Sequence, residues 1–202
     1  MKQQIIIIHG GTTFPNHDSY MQFLSTLDID LERLRYKIDW KGTLEKDLAS
    51  SYEVFTPKMP NATNAKYEEW KLWFENILTR LQKDLILVGH SLGGAFLIRF
   101  LSENIIDKKI FALFLVAAPF EPIKDKEYLG SFEHPNKSHP ITLPAAKVVI
   151  LHSKDDMVVP FEQSEQLHAF IEDSQIIPLN NYGHVNTVHF PELVQEIHKV
   201  AM

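Results

Sequence analysis

The 202-residue chain has no cysteine, which excludes disulfides, thiolate metal sites, iron–sulfur clusters and a cysteine nucleophile. It lacks any apolar stretch near the roughly 20 residues of a membrane span. Its longest early run, Ile5 to Ile8, falls short of the 7–15 apolar residues of a signal-peptide core. A cytoplasmic location is the expectation. The chain also has no excess of positive charge: 20 Lys and Arg stand against 26 Asp and Glu, a net charge of −6. Phosphate backbones and anionic membranes are therefore not expected partners. With 45% hydrophobic and 23% charged residues, the sequence describes one globular domain spanning 1–202, with a sizeable core and without internal repeats.

Six short runs of β-forming residues alternate with helical stretches, the pattern of a parallel sheet covered on both faces. They are Ile5 to Ile8, Tyr52 to Phe55, Leu85 to Val88, Ile110 to Val116, Val148 to Leu151 and Gln175 to Leu179. Between the second and third, Tyr67, Trp70, Phe74, Ile77, Leu78 and Leu81 recur at three- and four-residue spacing, which predicts one apolar helical face. Leu92 to Ser102 predicts a buried helix, and Phe190-Pro191-Glu192 predicts the start of the last one. Asp28 to Leu48 is charged and predicts one or two short surface helices. Residues Phe120 to Pro144 combine four prolines with Phe120, Tyr128, Leu129, Phe132 and Ile141, so they are expected to pack over a functional site as a small cap.

Chemistry concentrates at Gly89-His90-Ser91-Leu92-Gly93, a G-x-S-x-G sequence directly after the third predicted strand and before a predicted helix. A sharp strand-to-helix turn there forces the serine into a strained backbone and leaves no room for neighbouring Cβ atoms. Ser91 would stand above the sheet at a helix N-terminus, where N–H groups favour developing negative charge. Serine needs a base within hydrogen-bond reach and an acid that fixes the base's tautomer. In chain order the candidates are Asp155 or Asp156 after the fifth strand, and His184 or His189 after the sixth.

On these residues the sequence resembles the α/β-hydrolases, and within them the small serine hydrolases of the retinoblastoma-binding-protein type. The resemblance runs from Ile5-Ile-Ile-Ile-His9-Gly10-Gly11 through Gly89-His-Ser-Leu-Gly-Gly94 and Asp155-Asp156-Met-Val-Val-Pro160 to Tyr182-Gly183-His184. It implies a compact fold of about six mostly parallel strands, in the order second, first, third, fourth, fifth, sixth, with a short cap at 120–144. It implies Ser91 as nucleophile, Asp156 rather than Asp155 as the acid, His184 rather than His189 as the base, and the backbone N–H groups of Gly11 and Leu92 as oxyanion donors. Phe120, Leu129 and Phe132 are the expected substrate contacts. The expected reaction is hydrolysis of a small carboxylic ester, with amide and thioester as alternatives, without metal or cofactor. A non-catalytic protein-binding scaffold is the competing reading. The ten histidines form no H-E-x-x-H sequence and are expected to be solvated or capping.

Overall fold

A computed structural model describes residues 2–35, 37–123 and 128–200, the side chain of Arg33 excepted. Its six strands are β1 (Gln3–Ile8), β2 (Tyr52–Phe55), β3 (Asp84–His90), β4 (Lys109–Val116), β5 (Val148–Ser153) and β6 (Ser174–Leu179). They form one sheet in the order β2-β1-β3-β4-β5-β6, and every pairing is parallel. This is the strand order and the α/β-hydrolase fold class expected from the sequence. Pro178 is tolerated because β6 is an edge strand.

The α-helices are α1 (His17–Thr26), α2 (Trp40–Leu48), α3 (Tyr67–Leu78), α4 (Leu92–Glu103), α5 (Glu162–Phe170) and α6 (Pro191–Val200). Period-two alternation divides the sheet's side chains between two cores. Ile6, Ile8, Leu85 and Leu87 meet Trp70 and Phe74 of α3, Phe96 and Phe100 of α4, and Leu167 and Phe170 of α5. On the other face Ile5, Ile7, Ile86 and Val88 meet Trp40, Leu44 and Leu48 of α2, with Leu193 and Ile197 of α6. The predicted surface character of Asp28 to Leu48 thus holds only in part, because α2 buries three large side chains. Helix α1 is different in kind, with no buried residue at all.

The order reverses at β1, so the crevice outside the carboxyl ends of β1 and β3 is the switch point where open parallel sheets collect ligands. The loops after β1, β3, β5 and β6 all emerge on this edge. The β4–β5 connection does not form the expected cap at Leu129 and Phe132. Both are only 1% exposed, and Phe132 stands edge-to-face on Trp70 at 5.0 Å within the core. Burying a ring against three other aromatics outweighs holding it over a solvated mouth. Phe120 is half-buried, its ring 4.9 Å from that of Phe170. Residues 124–127 of the predicted cap lie outside the described residues.

Candidate active site

Ser91 closes β3 and caps α4 with φ 53° and ψ −126°, a conformation that L residues rarely hold. The turn is tight enough to require its glycines. A Cβ on Gly89 would lie 2.6 Å from Gly94 Cα, and one on Gly93 would lie 2.3 Å from the carbonyl oxygen of Ile8. The second approach seats the N-terminus of α4 directly on the end of β1. Ser91 is consequently 6% exposed, held at the carboxyl edge of the sheet.

The loop after β1 lies against this turn. A Cβ on Gly10 would be 3.0 Å from Ser91 Cβ, and one on Gly11 would be 3.2 Å from Leu92 Cδ2. Leu92 is the first residue of α4, so its N–H has no intrahelical partner. His9 shapes the loop: Met59 N–H donates to its Nε2 at 2.9 Å, leaving Nδ1 to donate to Gly10 O at 2.6 Å. Thr12 N–H is already taken by Ala62 O, at 2.8 Å.

His184 follows β6, and its Nδ1 lies 2.8 Å from Asp156 Oδ2. An ionised carboxylate only accepts, so Nδ1 carries the hydrogen, and in the neutral tautomer this leaves the lone pair on Nε2. The imidazole remains 12% exposed while the Asp156 side chain is fully buried. Burial alone would raise the Asp156 carboxyl, but donation from His152 and His184 and from Val159 N–H holds it well below the usual carboxylate range. Asp155 does something else. It accepts from Ser153 Oγ and from Gly183 N–H at 3.3 Å, tying the backbone of the histidine loop rather than its ring. Ser153 Oγ in turn accepts from Tyr182 N–H at 3.1 Å.

That loop is held from the opposite side as well. Asn181, Gly183 and Val185 all have positive φ, and a β-branched residue at φ 51° is sterically costly. Two fully or nearly buried rings constrain it: Trp40 Nε1 donates to Val185 O at 2.8 Å, and His90 Nε2 donates to His184 O at 3.0 Å. Burial, with the Lys41 charge next in size, pushes the His90 imidazole well down and keeps it neutral. His90 immediately precedes Ser91, and its ring centre is 5.1 Å from that of His184. Among the described residues no hydrogen bond joins Ser91 Oγ to His184, and such contacts often tighten only when substrate binds.

Ser91, Asp156 and His184 are thus gathered on one edge, with Gly11 and Leu92 beside Ser91. His189 is exposed, its carbonyl accepting from Thr187 Oγ1. Sequence reasoning missed three contributors: His152, His90 and Trp40. The position of His90 inside the G-x-S-x-G turn was the one available sign. Among the described residues no group of three or more His, Cys, Asp or Glu side chains is placed to hold a metal ion.

Several known proteins share this architecture. The YdeN protein of Bacillus subtilis (strain 168) is 28% identical over 187 residues, covering 91% of this chain and 86% of the relative. The crystal structure of the B. subtilis ydeN gene product superposes with a TM-score of 0.72 at 22% identity, covering 99% of each chain. Mouse alpha/beta hydrolase domain-containing protein 10 gives 0.65 at 17% identity over 98% of this chain and 89% of its own. Paleococcus ferrophilus monoacylglycerol lipase gives 0.59 at 13% identity over 98% and 91%. A family model described as serine hydrolase matches residues 35–191, which include Ser91, Asp156 and His184. Most of the chain is covered by that match, and the chain belongs to the serine hydrolase family.

Proposed function

We propose that the protein hydrolyses carboxylic esters through an acyl-enzyme on Ser91. The observation that carries this reading is the His184 Nδ1–Asp156 Oδ2 bond of 2.8 Å on the same edge as a serine held at φ 53°. Ser91 Oγ attacks the substrate carbonyl carbon and passes its proton to His184 Nε2. The oxyanion is stabilised by the N–H groups of Gly11 and Leu92, each worth about 2.7–4 kcal/mol of transition-state stabilisation when aligned. Collapse breaks the bond to the leaving alcohol, which takes the proton from His184. Water then attacks the acyl-enzyme, with His184 as base, and releases the carboxylic acid. No step calls for a metal or a cofactor, so EDTA leaves the rate unchanged.

An apolar ester suits the surroundings. Tyr128, Met157 and Val158, after β4 and β5, are 45%, 78% and 43% exposed at the carboxyl edge. Amides and thioesters could enter the same chemistry, but an ester asks least of the leaving group. Small size keeps the protein near the retinoblastoma-binding-protein type of serine hydrolase. Pre-steady-state hydrolysis of p-nitrophenyl butyrate tests the proposal. A burst of one p-nitrophenolate per active site, absent in Ser91→Ala, is expected. A folded wild type that releases no p-nitrophenolate from any short-chain ester would instead favour a binding scaffold.

A further inference from the structure

Residues Val148 to Leu151 of β5 are buried and apolar, yet the next residue is a histidine whose side chain has no exposure. A buried imidazole in such a strand is unfavourable unless its nitrogens are bonded. Both are. Nε2 lies 3.0 Å from Asp156 Oδ2 and 2.9 Å from Val159 O, and Nδ1 lies 2.5 Å from Ser164 Oγ on α5. Because a carbonyl oxygen only accepts, Nε2 carries the hydrogen, and in the tautomer with a bare Nδ1 the Ser164 hydroxyl donates to it.

The Asp156 carboxylate is then fully occupied. Oδ1 accepts from Val158 N–H at 2.8 Å and Val159 N–H at 3.0 Å, and Oδ2 accepts from His152 and His184. Without His152, Oδ2 would be held only by His184, the residue it is meant to orient. We infer that His152 is a positioning residue for the hydrolase reaction: its Nε2–H fixes Asp156 Oδ2 independently of His184, and Ser164 fixes the His152 tautomer. This rests on the hydrolase reading above.

The donated hydrogen spreads the negative charge of Oδ2 and so moderates its pull on a protonated His184. The other titratable groups around the pair are Asp155 and Tyr182 on the neighbouring loops, His90 on β3 and Lys41 on α2 beside His90. None of them donates to Oδ2. Removing the His152 donor therefore favours protonated His184 and moves the low-pH limb of the rate profile to higher pH.

The test compares His152→Leu, His152→Gln and Ser164→Ala on p-nitrophenyl butyrate, with the imidazole titration of His184 followed by NMR. His152→Leu is expected to lower kcat by about 10–100-fold, the range for losing an outer hydrogen-bond partner, with KM unchanged and the limb shifted upward. His152→Gln, whose amide N–H can reach Oδ2, is expected to restore the limb and much of kcat. Ser164→Ala keeps the ring and gives a smaller shift in the same direction, and it decides the matter if His152→Leu does not fold. Wild-type kcat and limb in folded His152→Leu, or an unmoved limb in Ser164→Ala, would overturn the inference. So would a fall in kcat without a limb shift or rescue by Gln, which would make His152 a scaffold of the β5–α5 turn. If the wild type fails on every ester, the hydrolase reading fails separately. The NMR titration of His184 then still reads the contact, an upward shift supporting it and no shift refuting it.

Discussion

The connections after β5 and β6 and the stretch from α1 to Leu34 are built on opposite plans. Around Asp156 and His184 the polar groups are buried and paired, and the backbone takes rare conformations that Trp40, His90, Ser153 and Asp155 stabilise. From α1 to Leu34 there is little of this. Helix α1 buries no residue, and Met21, Phe23, Leu24, Leu27, Ile29, Leu31 and Leu34 are all exposed. The contrast separates two demands. Proton transfer needs atoms fixed to fractions of an ångström, whereas a surface helix with few buried contacts tolerates looseness.

If the polar side carries the chemistry, its variants should lose rate and keep their fold. Ser91→Ala is expected to cost on the order of 10⁶ in kcat, with an unchanged thermal transition by circular dichroism. Asp156→Asn is expected to cost about 10⁴, because the amide no longer selects the tautomer that bares Nε2. Asp155→Asn should cost far less, since Asp155 holds Gly183 N–H and not the ring. Equal losses in the two asparagine variants would erase the distinction between ring and backbone support.

Acid offers a second way to sharpen the contrast. The Asp156 carboxyl is depressed in the folded protein, so its unfolded form takes up the proton first as pH falls. Its contribution to stability is complete above the ordinary carboxylate range and is lost as pH falls through its folded value. Chemical denaturation should show a wild-type advantage over Asp156→Asn that is constant above about pH 5 and dwindles below about pH 4. An advantage that grew on acidification would contradict the sign.

Phe132→Ala is expected to destabilise by about 3–5 kcal/mol, because it opens a cavity between Tyr67, Trp70 and Phe96. A loss below about 1 kcal/mol would return the ring to the surface. Met21→Ser and Leu24→Ser should stay within about 0.5 kcal/mol of wild type in stability. A loss above about 1 kcal/mol in either would show that α1 packs on the core after all.

Much of this architecture was legible in the chain because its signals are local. Four consecutive isoleucines announce a doubly buried strand, and Gly89-His-Ser-Leu-Gly93 announces a turn between β3 and α4. Ser91 is legible in the same way, while the choice of Asp156 over Asp155 and of His184 over His189 comes from the resemblance to the α/β-hydrolases. What escaped depends on contacts distant in sequence. Trp40 reaches Val185 across 145 positions and His90 reaches His184 across 94, distances over which periodicity carries no information. His152 was hidden differently, since a lone histidine at a strand end looks the same whether it meets solvent or a buried carboxylate. Phe132 misled because apolar residues in a proline-rich loop are equally consistent with a cap and with core, and only the neighbouring rings decide.

The central question is whether His184 activates Ser91. Intact-mass spectrometry after exposure to a fluorophosphonate, with peptide mapping of the adduct, measures this in the wild type and in His184→Ala. The expected result is one phosphonyl group on Ser91 in the wild type and labelling slowed by several orders of magnitude in His184→Ala. Equal labelling of the two proteins, or an adduct on another residue, would contradict it.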